Sequence, residues 1–261
     1  MNLNSVASYI VEWLSSYSVK SHTKGFVVGI SGGVDSALTS TLCALTGKKV
    51  VVVNMPIRQT TAEYERAHQH ILDLKNKFPN VESLEINLTD VFAAFSDKMP
   101  FNTEGELLAM ANSRARLRMT TLYAIAQANN CIVAGTGNRI EDFGIGFFTK
   151  YGDGGVDISP IADLTKTQVF SLAKELNVIE AILIAKPTDG LWPDGRSDEE
   201  QIGATYPELE WAMDFRGEES QLSARETEVL KIYRSYNTAN RHKMEPIPVC
   251  KLTEELKLTL I

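Results

Sequence analysis

The 261-residue sequence lacks the features that mark secreted and membrane-spanning chains. Its three cysteines are far apart and form no CxxC pair, so we expect packing residues in a reduced, cytoplasmic compartment. No apolar run approaches the ~20 residues that a membrane-spanning helix requires. Residues 1–19 contain no lysine or arginine and therefore lack the charged start of a signal peptide. These absences favour a cytoplasmic protein that does not enter a membrane.

Positive charge is also scarce, with 26 Lys and Arg against 33 Asp and Glu and a net charge of −7. A general nucleic-acid binder needs a basic face to neutralise phosphates, so this class is not expected. The balance still allows a local basic pocket for a phosphorylated small molecule. Hydrophobic residues make up 44% of the chain, which is enough for a sizeable core, and the length suits a single domain over 1–261.

Apolar runs alternate with helical segments in the first half of the sequence. Strands are predicted at 25–30, 49–54, 83–88 and 131–134, and helices at 1–19, 35–45, 60–77 and 104–129. This order predicts an α/β fold, in which an open parallel β-sheet carries helices on both faces and binds ligands at the carboxyl ends of its strands. After residue 150 the pattern predicts a helix near 165–176, a loop at 186–203 and helices to about 239.

A glycine-rich loop follows the first predicted strand. Two adjacent glycines let the backbone approach a ligand closely, and the helix start offers free N–H groups and a positive dipole end, which suits a phosphate or pyrophosphate. The loop has neither the lysine of a Walker A motif nor the G-x-G-x-x-G spacing of a dinucleotide site. A simpler interpretation is a turn with Asp35 as the helix N-cap. The loop consists of Ser31, Gly32, Gly33, Val34, Asp35 and Ser36.

The string Ser-Gly-Gly-x-Asp-Ser resembles the signature of the N-type ATP pyrophosphatases. In that superfamily the loop holds the pyrophosphate that leaves when a substrate attacks the α-phosphorus of ATP. Further strings resemble one branch, the NAD synthetases, and fall in the same order from residue 25 to about 245. They are the Arg-rich segment 113–124, G-T-G-N-x-x-E at 135–141, F-F-T-K-Y-G-D-G-G within 146–155, and the segments 163–166, 186–188 and 241–243.

The resemblance implies an adenine nucleotide α-hydrolase-like, Rossmann-like fold and a ligase that forms a C–N bond. Such an enzyme amidates deamido-NAD with ammonia through an adenylated nicotinate carboxylate, giving NAD, AMP and pyrophosphate. Roughly 24 residues precede the first strand, and no cysteine lies in a glutaminase-like pattern. We therefore expect free ammonia as the nitrogen source, unless a separate subunit supplies it.

A homodimer is also implied by the resemblance. The long helix at 104–129 carries Leu117, Thr121, Ala124 and Ala128 on one face, and small residues on such a face permit close helix packing at a two-fold axis.

The resemblance further implies a Mg²⁺ site at Asp35 and Glu141, since magnesium favours carboxylate and phosphate oxygens. Glu141 completes the G-T-G-N-x-x-E string. Many relatives have one residue fewer before Phe-Phe-Thr-Lys, however, so an ungapped count places Asp142 at the second ligand position. Lys166 is expected to act on the phosphates as a catalytic point charge. The residues expected to bind ATP are Ser31, Gly32, Gly33, Val34, Asp35, Ser36, Met55, Thr136, Lys166 and Thr188.

The acceptor side of the site is implied by the later strings. Asp153 matches a carboxylate suited to holding ammonium and accepting its proton before attack. The loop 186–203 is interpreted as a lid in which Trp192 covers the site, although Asp189-Gly190 departs from the commoner Ala-Asp of the family. The residues expected to bind deamido-NAD are Arg116, Phe147, Lys150, Asp153, His242 and Lys243.

Two other functions fit the same pyrophosphatase loop. One is a different N-type ATP pyrophosphatase that amidates a nucleobase or modifies tRNA, although the acidic charge disfavours a tRNA substrate. The other is a non-catalytic adenine-nucleotide binder. A sensor of that kind has no need for Asp35, Glu141 and Lys166, which form the expected metal and leaving-group machinery.

Overall fold

The computed structural model describes residues 2–188 and 197–258 of the chain. Four parallel strands form one sheet in the order β3-β2-β1-β4. An isolated parallel bridge between Ala134 and Ile158 continues the edge beyond β4. The predicted open parallel sheet is confirmed. The strands are β1 Gly25–Gly29, β2 Lys49–Asn54, β3 Val81–Glu85 and β4 Ile132–Val133.

Helices pack on both faces of the sheet, as predicted, and continue after it. The α-helices are α1 Leu3–Lys20, α2 Val34–Leu45, α3 Thr61–Lys77, α4 Thr89–Ser96, α5 Leu107–Asn129, α6 Lys166–Glu175, α7 Glu180–Leu183, α8 Asp198–Ile202, α9 Tyr206–Asp214, α10 Ala224–Met244 and α11 Glu254–Leu258. A π-helix spans Arg139–Ile145 and a 3-10 helix spans Glu219–Gln221. Within the described residues, 2–188 and 197–258, none of these helices is long and apolar enough to cross a membrane.

The third strand was predicted at 83–88, and its position was wrong by a few residues. Its ladder with β2 begins earlier, at the pair Val50–Val81. The amide N–H groups of Ile86 and Leu88 still donate to backbone carbonyls in and after β2, but the chain has left the regular ladder there. Helix α4 was not predicted, and α10 extends beyond the predicted limit near 239.

Alternate side chains of the strands face two separate cores. Side chains on both faces are buried because helices cover both sides of the sheet. Phe26, Val28, Val50 and Val52 join a core with residues of α1, α2, α3 and α6. Val27, Val51, Val53 and Val133 join a core with residues of α4 and α5. The two cores hold the sheet in place between the helices, and the sheet in turn positions the loops that follow the carboxyl ends of its strands.

A third core holds the π-helix against the C-terminal helices. Ile140 and Ile145 are fully buried there, with Leu209 of α9 and with Val229 and Leu230 of α10. This packing places the loop after β4 beside the last helices of the chain.

Candidate active site

The strand order reverses at β1. The chain runs from β1 through β2 to β3 on one side and then places β4 on the other side of β1. In open α/β sheets, ligands bind at such a point, outside the carboxyl ends of the strands. The loops after β1 and β4 meet here and line a cavity of about 880 Å³.

This cavity gathers the site residues that were predicted from the sequence, although they are spread over more than two hundred positions of the chain. Its lining includes Ser31, Gly32, Gly33, Val34, Asp35, Ser36, Met55, Arg116, Thr136, Glu141, Phe147, Lys150, Asp153, Lys166, Thr188, His242 and Lys243. The predictions for Asp189, Gly190 and Trp192 of the lid lie outside the described residues.

Hydroxyl groups shape the loop after β1. Ser31 Oγ accepts a hydrogen bond from the Gly33 amide at 3.2 Å and lies 3.1 Å from Ser36 Oγ, which donates to the Gly33 carbonyl at 3.0 Å. Gly32 has a φ of +86°, and a Cβ there would lie 2.6 Å from the backbone oxygen of Glu63. Glycine is therefore required at this position by both conformation and space.

Helix α2 begins directly from this loop. Its N-cap is Gly33, so the interpretation of Asp35 as the N-cap is wrong. Asp35 lies in the first turn of α2, and its side chain does not cap the helix. The N–H groups at a helix start have no partner within the helix, so they are suited to binding an anion.

A buried cluster of charged side chains lies beside the loop. Lys166 Nζ is 2.6 Å from Asp35 Oδ2 and 2.9 Å from Glu141 Oε1. Asn138 connects the two acids, because its Nδ2 donates to Asp35 Oδ1 at 3.0 Å and its Oδ1 accepts from the backbone N–H of Glu141 at 3.1 Å. Lys166 and Asn138 are both almost completely buried. The first turns of α2, of the π-helix and of α6 therefore meet in one ion-paired cluster.

The cluster carries a net negative charge, since one ammonium faces two carboxylates. Burial alone would lower the pKa of Lys166, but Asp35 and Glu141 raise it above its usual value and keep the ammonium charged. Burial alone would raise the pKa of Glu141, but the charge and hydrogen bond of Lys166 lower it overall. Burial raises the pKa of Asp35 in spite of Lys166.

The donor set of this cluster fits magnesium. Mg²⁺ prefers carboxylate oxygens and usually takes only one or two of them, completing its shell with water and substrate phosphates. Asp35 and Glu141 supply two buried carboxylates at the edge of a loop suited to phosphate. Among residues 2–188 and 197–258 no group of three or more His, Cys, Asp or Glu side chains could hold a metal.

The π-helix decides which acidic residue faces the lysine. Asn138 caps this element, and the backbone N–H of Phe147 donates to the Glu141 carbonyl at 2.8 Å. A π-turn contains one residue more than an α-turn, and such bulges are frequent at functional sites. In this wider turn the Glu141 side chain points to Lys166.

Asp142 turns to a different part of the cavity. Its carboxylate lies so close to Gly137 that a Cβ at that glycine would overlap it. Burial, with the nearby charges of Glu141, Asp153 and Asp35, raises the pKa of Asp142 to about 8. The geometry favours Glu141 over Asp142 as the second metal ligand.

A second group of lining residues, here called the second wall, consists of cations that bond to backbone carbonyls. Lys150 Nζ donates to the His242 carbonyl at 2.7 Å, and Lys243 Nζ donates to the Phe148 carbonyl at 2.7 Å. Arg116 Nε donates to the Lys150 carbonyl at 3.2 Å. These bonds tie the loop after the π-helix to α5 and to the end of α10. Because a carbonyl is neutral, each cation keeps its charge for an anionic ligand.

Asp153 also lines the cavity. Its Oδ1 accepts a hydrogen bond from the Thr149 amide at 3.0 Å. Its side chain is open to the water of the cavity, yet the protein around it removes much of the bulk solvent and raises the pKa of Asp153. A carboxylate in that environment can hold a small cation and can also accept a proton.

Several lining residues had no assigned role in the sequence. Arg118 Nε donates to the Met55 carbonyl at 3.0 Å, and Arg66 Nε donates to the Gly32 carbonyl at 3.3 Å. Burial lowers the pKa of Arg118 to about 10, with Arg114 contributing. Arg118 belongs to the Arg-rich segment, so that string was a usable signal. Arg66 stands on a helix whose sequence offered no such signal.

A family model described as NAD synthase matches residues 6–247 of the chain. The chain belongs to the NAD synthase family. It is 37% identical to the NH₃-dependent NAD⁺ synthetase of Archaeoglobus fulgidus, with 98% of this chain and 100% of that protein covered. It is 36% identical to the NH₃-dependent NAD⁺ synthetase of Alkaliphilus oremlandii, with 95% and 98% covered.

Solved structures of the NAD synthase family and of an NMN synthetase share the fold. The chain is 33% identical to the NMN synthetase of Francisella tularensis, with a TM-score of 0.86 and 97% and 100% of the two chains covered. It is 25% identical to the NH₃-dependent NAD synthetase of Campylobacter jejuni, with a TM-score of 0.78 and 96% and 100% covered. The α/β fold expected from the resemblance is therefore shown.

Proposed function

We propose that this chain forms NAD from deamido-NAD, ammonia and ATP, releasing AMP and pyrophosphate. The observation that carries the proposal is the cluster of Asp35, Glu141 and Lys166 beside a phosphate-type loop that has no Walker lysine. That arrangement suits cleavage at the α-phosphorus, with pyrophosphate as the leaving group. The relatives named as NH₃-dependent NAD⁺ synthetases support the choice of substrates.

The first step activates the acid. A carboxylate oxygen of deamido-NAD attacks the α-phosphorus of ATP, the bond to the bridging oxygen breaks, and pyrophosphate leaves as the acyl adenylate forms. The amide N–H groups of the loop at 31–36 bind the leaving pyrophosphate. Lys166 supplies a charge where negative charge grows in the transition state. Magnesium held by Asp35 and Glu141 would neutralise phosphate oxygens.

The second step transfers nitrogen to the acyl carbon. Asp153 binds ammonium and accepts its proton, so that neutral ammonia can attack the carbonyl. The bond from the acyl carbon to the AMP oxygen then breaks, AMP leaves, and the second proton lost from nitrogen passes to the departing phosphate or to water. Its raised pKa brings the carboxylate nearer to that of ammonium, which makes the proton transfer easier. The cations Arg116, Lys150 and Lys243 of the second wall bind the anionic acceptor.

The test is a product assay with the purified chain, deamido-NAD, ATP, Mg²⁺ and an ammonium salt. Mass spectrometry should detect NAD, with one AMP and one pyrophosphate for each NAD. ADP and inorganic phosphate as the stoichiometric products would contradict the proposal. Omission of the ammonium salt is the control, and glutamine in its place should give no NAD.

A second candidate function is the formation of NMN by the same chemistry on the acid mononucleotide. It is favoured by the NMN synthetase of Francisella tularensis, which covers nearly the whole chain at a TM-score of 0.86. The two acids should be supplied together at equal concentration and the two amides measured in one reaction. A preference for the dinucleotide supports the first function, and a preference for the mononucleotide supports the second.

We also propose that the whole chain acts as one catalytic domain and as a homodimer in the cytoplasm. Ala124 and Ala128 are exposed on α5, and Leu117 and Thr121 beside them are half-buried, so this face is available to a second copy. A light-scattering mass of about twice 28.9 kDa is expected. Full activity at the monomer mass would contradict the dimer.

A further inference from the structure

Tyr206 stands behind the wall of the cavity and contacts the charged cluster. We propose that Tyr206 is a positioning residue, which holds the Glu141 carboxylate and the Lys166 ammonium in the arrangement that receives magnesium and the leaving pyrophosphate. The inference rests on the proposed function, because it concerns the same site. It adds a residue that neither the sequence motifs nor the relatives' names assign.

The hydroxyl of Tyr206 bonds directly to the expected metal ligand. Its oxygen lies 2.5 Å from Glu141 Oε1, a length typical of a hydrogen bond to an ionised carboxylate. Lys166 Nζ bonds to the same carboxylate oxygen at 2.9 Å. Two donors on different elements therefore fix the direction of the Glu141 side chain.

The ring of Tyr206 also contacts the lysine. Lys166 Nζ lies 4.9 Å from the ring centroid, within the range in which a cation is attracted to an aromatic face. Only 3% of Tyr206 is exposed, so water is a poor substitute for either contact. A single side chain thus contacts both Glu141 and Lys166, which are otherwise held by separate elements.

Hydrogen bonds at the start of α9 hold Tyr206 in place. It is the first residue of α9, where Thr205 and Glu208 form a capping box. The backbone N–H of Tyr206 donates to Glu199 Oε1 at 2.8 Å. The tyrosine therefore belongs to a rigid helix start, as a group that orients another side chain requires.

A further contact links Tyr206 to the segment that carries an expected ATP ligand. Its hydroxyl oxygen lies 3.2 Å from Asp198 Oδ2, and the backbone N–H of Asp198 donates to the Pro187 carbonyl at 3.1 Å. Pro187 directly precedes Thr188, which lines the cavity. The base of this segment therefore lies beside the phenol that donates to the metal ligand Glu141.

Partners that orient a metal ligand usually matter for metal affinity, and their loss weakens it by about 10–100-fold. We expect the variant Tyr206→Phe to require about tenfold more Mg²⁺ for half-maximal activity. Phenylalanine keeps the ring beside Lys166 and removes only the hydroxyl bond to Glu141. The KM for the acid and for ammonium should stay unchanged, since the partners of the Tyr206 hydroxyl are Glu141 and Asp198 and not the residues proposed to bind those two substrates.

A binding experiment gives a readout apart from activity. Mn²⁺ is titrated into the full chain with a non-hydrolysable ATP analogue, and free Mn²⁺ is followed by electron paramagnetic resonance. Tyr206→Phe should weaken Mn²⁺ binding about tenfold. The titration is run well below the melting temperature of each variant, so a loss of stability does not enter the result.

The matched control is Tyr64→Phe, which removes a tyrosine–carboxylate bond of 2.9 Å to Glu85, away from the cluster. This variant should bind Mn²⁺ as the wild type does. The proposal is overturned if Tyr206→Phe binds Mn²⁺ with wild-type affinity, or if its only defect is a lower melting temperature. Absence of product from the wild type would instead overturn the proposed function, and the Mn²⁺ titration would remain a valid test of Tyr206.

Discussion

The two walls of the cavity hold their charged side chains in different ways. On the ATP side, Lys166 is paired with both Asp35 and Glu141, so its charge is fully compensated and the cluster keeps a net negative charge. On the acceptor side, Lys150 and Lys243 donate to neutral backbone carbonyls and keep their full charge. The first wall is thus ordered before any ligand binds, whereas the second retains positive charge for an anionic substrate.

This difference suits the two partial reactions. Adenylation needs metal and cations placed precisely around a phosphate, and a side-chain network with buried partners gives that precision. Binding of the anionic acceptor depends on positive charge in the site and does not require a metal held in a fixed geometry. Variants on the ATP wall should therefore abolish the first step, and variants on the acceptor wall should change binding or the second step.

The largest effect is expected for Asp35→Ala. This variant removes a metal ligand and one of the two carboxylates beside Lys166, so ATP–pyrophosphate exchange should fall about a thousandfold or more. Lys166 keeps Glu141 as a partner, and circular dichroism should show an intact fold. The control is Asp97→Ala on the exposed end of α4. Near-normal exchange by folded Asp35→Ala would remove the metal role.

A large but selective effect is expected for Asp153→Asn. The amide keeps the shape of the side chain and loses the charge that holds ammonium, so aminolysis should slow by about a hundredfold. Adenylate formation should continue, because Asp153 is outside the cluster around Lys166. Rapid-quench analysis should show adenylate accumulating while the amide product appears late. A collapse of adenylation with fast aminolysis would place Asp153 in the ATP site instead.

A moderate effect is expected for Lys243→Met, which removes a charge from the acceptor wall. Loss of one charged contact to an anion should raise the KM for the acid about tenfold and leave the KM for ATP unchanged. Initial rates with either substrate varied give both values, and Lys251→Met on the exposed C-terminal segment is the control. An equal rise in the KM for ATP would show that the two walls are not separate in function.

The smallest effect is expected for Asp142→Asn, in contrast to Glu141→Gln. Burial already holds the pKa of Asp142 at about 8, so an uncharged amide resembles its prevailing form near neutral pH. Activity should change by less than about threefold, within the range of a surface-like substitution. Glu141→Gln should raise the Mg²⁺ requirement strongly. The reverse pattern would make Asp142 the metal ligand.

Much of the fold and the membership of the cavity could be predicted from the sequence. Strands that are buried on both faces, such as β1 and β2, are visible in the sequence as short runs of apolar residues. A contiguous string such as Ser31–Ser36 predicts a local loop geometry, because all its residues lie in the same turn. Parallel strands bring such strings to one edge of the sheet. The predicted site residues that line the cavity followed from these local patterns and from the family resemblance, whereas lining residues such as Arg66 did not.

Contacts between distant segments could not be predicted in the same way. Asp35 and Lys166 are 131 positions apart, and their pairing depends on the packing of α6 against α2. The π-helix could not be foreseen either, because the short stretch Arg139–Ile145 has no residue pattern that distinguishes a π-turn from an α-turn. Tyr206 has no motif of its own, and only the packing of α9 brings it to Glu141.

The most direct test of the account follows the oxygen atoms of the acid. Deamido-NAD labelled with ¹⁸O in its carboxylate is converted with ATP and ammonium, and the products are analysed by mass spectrometry. Attack of the carboxylate on the α-phosphorus predicts one ¹⁸O in each AMP and none in pyrophosphate. Label in inorganic phosphate together with ADP, or unlabelled AMP, would contradict the adenylate mechanism.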